Sequence, residues 1–189
     1  MDEERRLRVL GFAGSLRKGS YNRALIEAAG EVAPRGMALE PYDLSPIPLY
    51  NEDVRAEGMP PAVEAFRAAI AGADALLIAT PEYNYSIPGV LKNAIDWASR
   101  PPDQPFDGKP VALVGASPSR LGTARAQYHL RQCFVYLNGF VLNQSEILVA
   151  NASALFDENG RLTDEATRAR LGELLAALRE AVLRQVPAR

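Results

Sequence analysis

Five short apolar runs recur along the chain with helical stretches between them, and this alternation confines it to one kind of architecture. The runs are Leu7 to Ala13, Met37 to Leu44, Ala73 to Thr80, Pro110 to Gly115, and Gly139 to Leu142, with Ile147 to Val149 as a fifth strand or its continuation. The third, Ala73-Asp74-Ala75-Leu76-Leu77-Ile78-Ala79-Thr80, is apolar on both faces, as a central parallel strand covered on both sides must be. Between the runs, Tyr21 to Val32, about Pro60 to Ala71, Pro88 to Ala98 and Gly122 to Leu137 repeat apolar residues at helical spacing. A last helix, N-capped by Thr163, continues through Leu171, Leu174, Leu175, Leu178 and Val182 to Pro187. The proline-bearing stretch Ser45 to Gly58 is too irregular for either element. Five strands alternating with five helices predict an α/β fold, a doubly wound parallel sheet with helices on both faces.

Composition narrows the partners. A chain of 189 residues, 48% of them hydrophobic, suits a single domain, 1–189, with a substantial core. The 21 basic and 23 acidic residues leave a net charge of -2, so there is no strongly basic face for nucleic acid or an anionic membrane, and a small molecule is the expected partner. Cys133 is the sole cysteine, which rules out a disulfide within the chain, and it reads as buried apolar filler rather than a reactive thiol. Because no apolar run approaches the ~20 residues of a membrane span, and the charged Met1 to Arg8 leads straight into a strand, the expected location is cytoplasmic. No metal cluster or hydrolytic triad is legible, and the single histidine, His129, reads as structural.

Chemistry concentrates in two loops. Gly14-Ser15-Leu16-Arg17-Lys18-Gly19-Ser20-Tyr21-Asn22 joins the first strand to the first helix and is rich in glycine, hydroxyl, amide and cationic groups. Such a run cradles phosphate: glycines let backbone N–H groups turn onto an anion, and the helix that follows adds the positive end of its dipole. A triphosphate loop would place Lys-Ser/Thr after the second glycine, whereas here Lys18 precedes Gly19 and Ser20 follows it. The dinucleotide spacing G-x-G-x-x-G is also missing, since the glycines stand at 11, 14 and 19. What remains is a site for one monoester phosphate, as for FMN at the switch point of a five-stranded 2-1-3-4-5 sheet, or simply a polar turn with an N-cap serine. Ser15, Arg17, Ser20, Tyr21 and Asn22 would be the donors, with Arg17 contributing a planar fork suited to phosphate. The second loop, Pro81-Glu82-Tyr83-Asn84-Tyr85-Ser86-Ile87-Pro88, follows the third strand, next to the first in that order. Its prolines stiffen peptide groups that can bond the polar edge of a flavin ring, and Tyr83 or Tyr85 offers an aromatic surface. Taken alone, Tyr-Asn-Tyr would be an ordinary exposed turn.

Together, the first loop and the run from Pro81 through Gly89-Val90-Leu91-Lys92-Asn93-Ala94-Ile95-Asp96-Trp97 strongly resemble the NADPH-dependent FMN reductase family, over roughly Val9 to Val149. That family includes quinone, azo-dye and chromate reductases of flavodoxin-like fold. The likeness is greatest to the bacterial quinone and chromate reductases, which carry a stretch like Arg125-Ala126-Gln127-Tyr128-His129-Leu130-Arg131-Gln132 in the helix after the fourth strand. The resemblance implies bound FMN, with its phosphate at Ser15, Arg17, Ser20, Tyr21 and Asn22, its ring at Pro81, Glu82, Tyr83, Asn84 and Tyr85, and Gly115, Ala116 and Ser117 closing a third side. It further implies that NADPH or NADH delivers hydride to the flavin N5 and that electrons then leave to a small-molecule acceptor. No side chain need act as a catalytic group, since the cofactor performs the hard step, while backbone N–H groups favour its reduced, anionic form. The preference between the two nucleotides would rest on cationic contacts from a loop such as Ser45 to Gly58. Relatives are commonly dimers or tetramers, and Tyr85, Arg125, Tyr128 and Glu146 would suit a hydrogen-bonded network across subunits; scattered surface polarity is the plainer reading. A flavodoxin-type electron carrier is the alternative function, but such carriers usually show a strongly acidic surface.

Overall fold

Side chains alternate with a period of two along each strand, and the two sets they form meet two different layers of helix. This is seen in a computed structural model that describes residues 6–185. Leu7, Val9 and Ala13 of β1 (Leu7–Ala13), Ala75, Leu77 and Ala79 of β3 (Ala75–Ala79) and Ala112, Val114 and Ala116 of β4 (Pro110–Ala116) pack on α1 (Tyr21–Glu31) and α6 (Glu165–Gln185). On the other face, Leu10, Phe12, Leu76, Ile78, Val111 and Leu113 meet α3 (Pro61–Gly72), α4 (Gly89–Ala98) and α5 (Ala124–Tyr136). The first layer uses alanines where α1 presses on the sheet. The second is filled by rings, with Phe12 edge-on to Phe66 at 5.3 Å and Phe106 edge-on to Phe134 at 5.6 Å. Along α6, Leu171, Leu174, Leu175 and Leu178 are fully or almost fully buried, each side chain contributing about 1.5–3 kcal/mol of transfer free energy.

The strands are parallel in the order β2-β1-β3-β4-β5, with β2 spanning Met37–Tyr42, so the fold is the flavodoxin-like doubly wound sheet expected from the sequence. Since β1 feeds a helix on one face and β3 a helix on the other, their carboxyl ends diverge and leave a cleft between them. The fifth position is filled in two pieces. β5 (Phe140–Val141) pairs with Pro110 and Val111, β6 (Ile147–Val149) pairs with Val114 to Ala116, and residues 142–146 between them belong to neither strand. Side chains from α5 bond to carbonyls at that break: Arg131 Nη1 donates to Leu142 O at 2.8 Å and Gln127 Nε2 to Ile147 O at 3.0 Å.

Three local expectations are corrected. Within Ser45 to Gly58 a short helix forms, α2 (Glu52–Glu57), because the Asn51 side chain accepts from Asp53 N at 2.8 Å and two acidic residues complement the first turn. It buries none of its residues, so no apolar period marks it. The cap of α6 is Asp164, not Thr163: Asp164 Oδ2 accepts from Thr167 N at 2.8 Å and Thr167 Oγ1 at 2.6 Å, while Thr163 Oγ1 donates to Leu155 O. Cys133 is half-buried rather than enclosed, and that burial pushes its thiol pKa up, which disfavours the reactive thiolate. The expected end of the last helix at Pro187 lies outside the described residues.

Hydrogen bonds from Thr167 hold the Asp164 carboxyl below the usual aspartate range. The cap therefore stabilises the fold at pH values above that range, and its contribution is lost as acid protonates the native carboxylate. Asp164→Ala should lower the unfolding free energy by about 1 kcal/mol at neutral pH. In denaturant titrations that difference from wild type should narrow as the pH falls through the folded-state pKa.

Candidate functional site

The site is assembled where β1 and β3 part. Gly14 N donates to Ala79 O at 2.8 Å, prolonging the β1–β3 ladder into the loop. A Cβ on Gly14 would fall 2.8 Å from Pro88 Cγ and 3.0 Å from Leu91 Cβ, so glycine is what lets the first loop lie against the second. Ser15 beyond it is buried, residues 16–19 are exposed, and Ser20 caps α1 by accepting from Arg23 N at 3.3 Å. The amides of Tyr21 and Asn22 in that first turn have no intrahelical partner and sit at the positive end of the helix dipole. The Arg17 guanidinium lies over the Tyr21 ring, 5.3 Å from its centroid, and that ring rests on Phe156 at 4.9 Å.

Asn22 does something its residue type alone does not disclose. Its side-chain amide pairs with the backbone of one residue at the end of β4: Nδ2 donates to Ala116 O and Oδ1 accepts from Ala116 N, both at 2.9 Å. The side-chain amide is thereby committed to the fold.

Around a cavity of about 340 Å³ the structure gathers all five first-loop residues, then Pro81, Glu82 and Tyr83 of the second loop, and Ala116 and Ser117 after β4. Three predicted residues do not line it: Asn84, Tyr85 and Gly115. Gly115 serves packing instead, since a Cβ there would lie 2.0 Å from Thr123 Oγ1 and 2.4 Å from Thr80 O. Pro118 lines the cavity too, offering an apolar surface and no N–H donor.

The second loop is a tight turn. Tyr83 and Ser86 exchange backbone hydrogen bonds of 3.1 and 3.0 Å, with Asn84 and Tyr85 between them at φ 50° and 67°. Asn84 tolerates such an angle, but Tyr85 holds its own at a cost of about 1–2 kcal/mol, so the turn needs support. Helix α5 supplies it. The Glu82 carboxylate accepts from Arg125 N at 3.0 Å and Ala126 N at 3.1 Å and pairs with the Arg125 guanidinium, which lies 3.6 Å from the centroid of the Tyr85 ring. Ser86 Oγ and His129 Nδ1 are 3.0 Å apart, so the exposed His129 is a tie to the loop rather than a packed core residue. Of the predicted network, one chain joins Tyr85 to Arg125. Tyr128 stands exposed a turn further along α5, and Glu146 uses its backbone carbonyl to accept from Arg170.

Among the described residues, no group of three or more His, Cys, Asp or Glu side chains is placed to hold a metal ion. The donors at the first loop are hydroxyls, backbone amides and one guanidinium, which fit a phosphate monoester, and the stiff second loop beside them leaves room for a flat ring. Sheet order and strand connections together define a flavodoxin-like α/β protein.

Comparison with known proteins agrees. Residues 7–154 match the model of the NADPH-dependent FMN reductase family. An NAD(P)H-dependent FMN reductase of Pseudomonas aeruginosa is 59% identical over 172 residues, covering 91% of this chain and 93% of its own. A quinone reductase of Escherichia coli is 43% identical over 182 residues, covering 95% and 97%. Among solved structures, the flavoenzyme NAD(P)H:(acceptor) oxidoreductase FerB of Paracoccus denitrificans superposes with a TM-score of 0.84 at 33% identity, over 94% of this chain and 98% of that one. The chain belongs to the NADPH-dependent FMN reductase family, and is thus an oxidoreductase with FMN as cofactor and NAD(P)H as substrate.

Replacing Asn22 with alanine would strand the buried N–H and C=O of Ala116. Asn22→Ala should cost about 2–4 kcal/mol of stability, read as a lower denaturant midpoint in urea unfolding.

Proposed function

We propose that this enzyme passes electrons from NADPH or NADH, through bound FMN, to quinones and similar small acceptors such as azo compounds, free flavin or chromate, by a ping-pong mechanism. The observation that carries the proposal is the meeting of the first-loop donors, the Pro81 to Tyr83 peptides and the end of β4 around one cavity. Relatives named FMN reductase and quinone reductase support the same reading. When bound, FMN accepts a hydride from nicotinamide and yields electrons to an acceptor.

The chain's own part is binding, orientation and electrostatics. Ser15 and Ser20 hydroxyls, the Tyr21 and Asn22 amides and the Arg17 fork hold the phosphate. Peptide groups of Pro81, Glu82 and Tyr83 take the polar edge of the ring, with Asn84 and Tyr85 forming the turn beside it. Ala116 and Ser117 close the third side, and Gly115 brings that strand end close to Thr80 and Thr123. Tyr83 and Tyr85, 53% and 68% exposed, border an open face where flat acceptors can stack. One open face serves both substrates in turn, so the nucleotide leaves before the acceptor enters. Arg55, the cation of Ser45 to Gly58, is held by Glu52 and by Pro101 O, which supports the use of either nucleotide.

The same reading takes the whole chain as one FMN-binding domain working in the cytoplasm, where its nicotinamide substrate is made. Among the described residues no helix is long and apolar enough to cross a membrane. Assembly as a homodimer or homotetramer would cover the outward face of α5, where Tyr128, Val135 and Tyr136 are 55%, 83% and 88% exposed. There Arg125 and Tyr128 would meet Glu146 across subunits beside the active site.

The purified protein should be yellow, bleach with NADPH and recover its colour with a quinone, and initial-rate plots against both substrates should give parallel lines. Colourless protein that neither binds FMN nor oxidises NADPH overturns the proposal, and intersecting lines overturn the ping-pong order. Arg17→Ala should weaken FMN binding about tenfold, the loss of one charge-assisted contact. For assembly, Val135→Asp with Tyr136→Asp should sediment as a folded monomer where wild type sediments as a dimer or larger; a monomeric wild type refutes the interface.

A further inference from the structure

Glu82 is placed where a carboxylate is costly. Its side chain is 5% exposed, yet it sits in a surface loop. It accepts from two backbone amides of the first turn of α5 and pairs with the Arg125 guanidinium. Meanwhile its own residue lines the cavity between Pro81 and Tyr83. A local cap would have been simpler. Thr123, at the N-cap position of α5, makes no capping bond; its hydroxyl accepts from Gln127 Nε2 at 3.1 Å instead. The orphan amides of α5 are thus satisfied from the loop after β3, with a desolvated charge where a neutral hydroxyl next door could have served. An independent observation points the same way. Asn84 and Tyr85 sit at left-handed angles just beyond Glu82, and such strain persists only where the surroundings over-determine it.

We propose that Glu82 is a positioning residue: it sets the Pro81 to Tyr83 peptides in their ligand-binding arrangement before FMN arrives and balances the charge beside the ring. The inference rests on the FMN assignment above. Three donors converge on the carboxylate, all from α5: the Arg125 and Ala126 amides and the Arg125 guanidinium, which also lies against the Tyr85 ring. A loop fixed in this way loses little freedom when it binds, so it contributes affinity without itself touching the ring through its side chain. One negative group here offsets one guanidinium and the positive end of α5. Taking it away would leave a net positive environment, which favours the reduced, anionic ring.

Two variants separate reach from charge. Glu82→Gln keeps an acceptor for the amides but turns a donor toward Arg125, while Glu82→Asp keeps the charge on a shorter arm. In fluorescence titrations of flavin-free protein with FMN, Glu82→Gln should bind tenfold or more weakly. The midpoint potential of its bound flavin should rise by about 30 mV, a tenfold change for a two-electron couple. Glu82→Asp should keep the wild-type potential and still bind FMN more weakly. If Glu82→Gln melts earlier but retains wild-type affinity and potential, Glu82 is only a helix cap and the proposal is overturned. Should Glu82→Gln fail to fold, Glu82→Asp decides, and wild-type affinity in that variant overturns it. Wild-type protein that binds no FMN defeats the cofactor reading itself, an outcome distinct from wild type binding and Glu82→Gln binding equally well.

Discussion

The reciprocal pair between Asn22 and Ala116 is the contact on which the rest of the site depends. Two bonds of 2.9 Å join residues 94 apart in the chain and lock the start of α1 to the end of β4. Buried as it is, the pair has little water to compete with it, and either half left alone would be an unsatisfied polar group. With α1 held there, the amides at its first turn and the peptides after β4 become two walls of one cavity. Gly14 adds the third constraint by letting the first loop rest on Pro88.

The two ends of the cavity are built on different principles. At the end proposed for the phosphate, the lining groups belong to a helix start and a glycine-bearing loop, groups that any helix N-terminus offers to an anion at little structural cost. At the end proposed for the ring, a turn with left-handed residues is held from outside by α5, through Glu82, Arg125 and His129. Rigid peptide groups suit a cofactor that brings its own reactivity, because the protein then needs placement and charge more than reactive side chains. The tyrosines beside the turn, Tyr83 and Tyr85, are exposed.

Most elements were legible because their burial is regular. The period of two in β1, β3 and β4 and the helical repeat of α6 follow from having a covered face, and both survive in the residue order. Where burial is absent or the covering side chain comes from elsewhere, legibility fails. Helix α2 buries nothing, so its only signals are Asn51 and an acidic first turn. The break between β5 and β6 is bridged by Arg131 and Gln127 of α5, which no reading of residues 139–149 discloses. Asp164 and Thr163 are both good caps in adjacent positions, and packing chose between them.

The candidate site divides in the same way. Glycine spacing, hydroxyls and two prolines point from residue order alone to a polar, glycine-bearing loop and a stiff loop after the first and third strands, because those properties are local to the backbone. The partner of each side chain is not local. Asn22 reads as a ligand donor, and its side chain is a strut; Gly115 reads as cavity lining, and it allows a close approach to Thr80 and Thr123; Glu82 reads as a ring contact, and its carboxylate caps another helix. Residue type limits which bonds a group can make, but which of them it makes depends on what the fold brings within 3 Å, and for these residues the partner lies 94, 8 and 43 positions away.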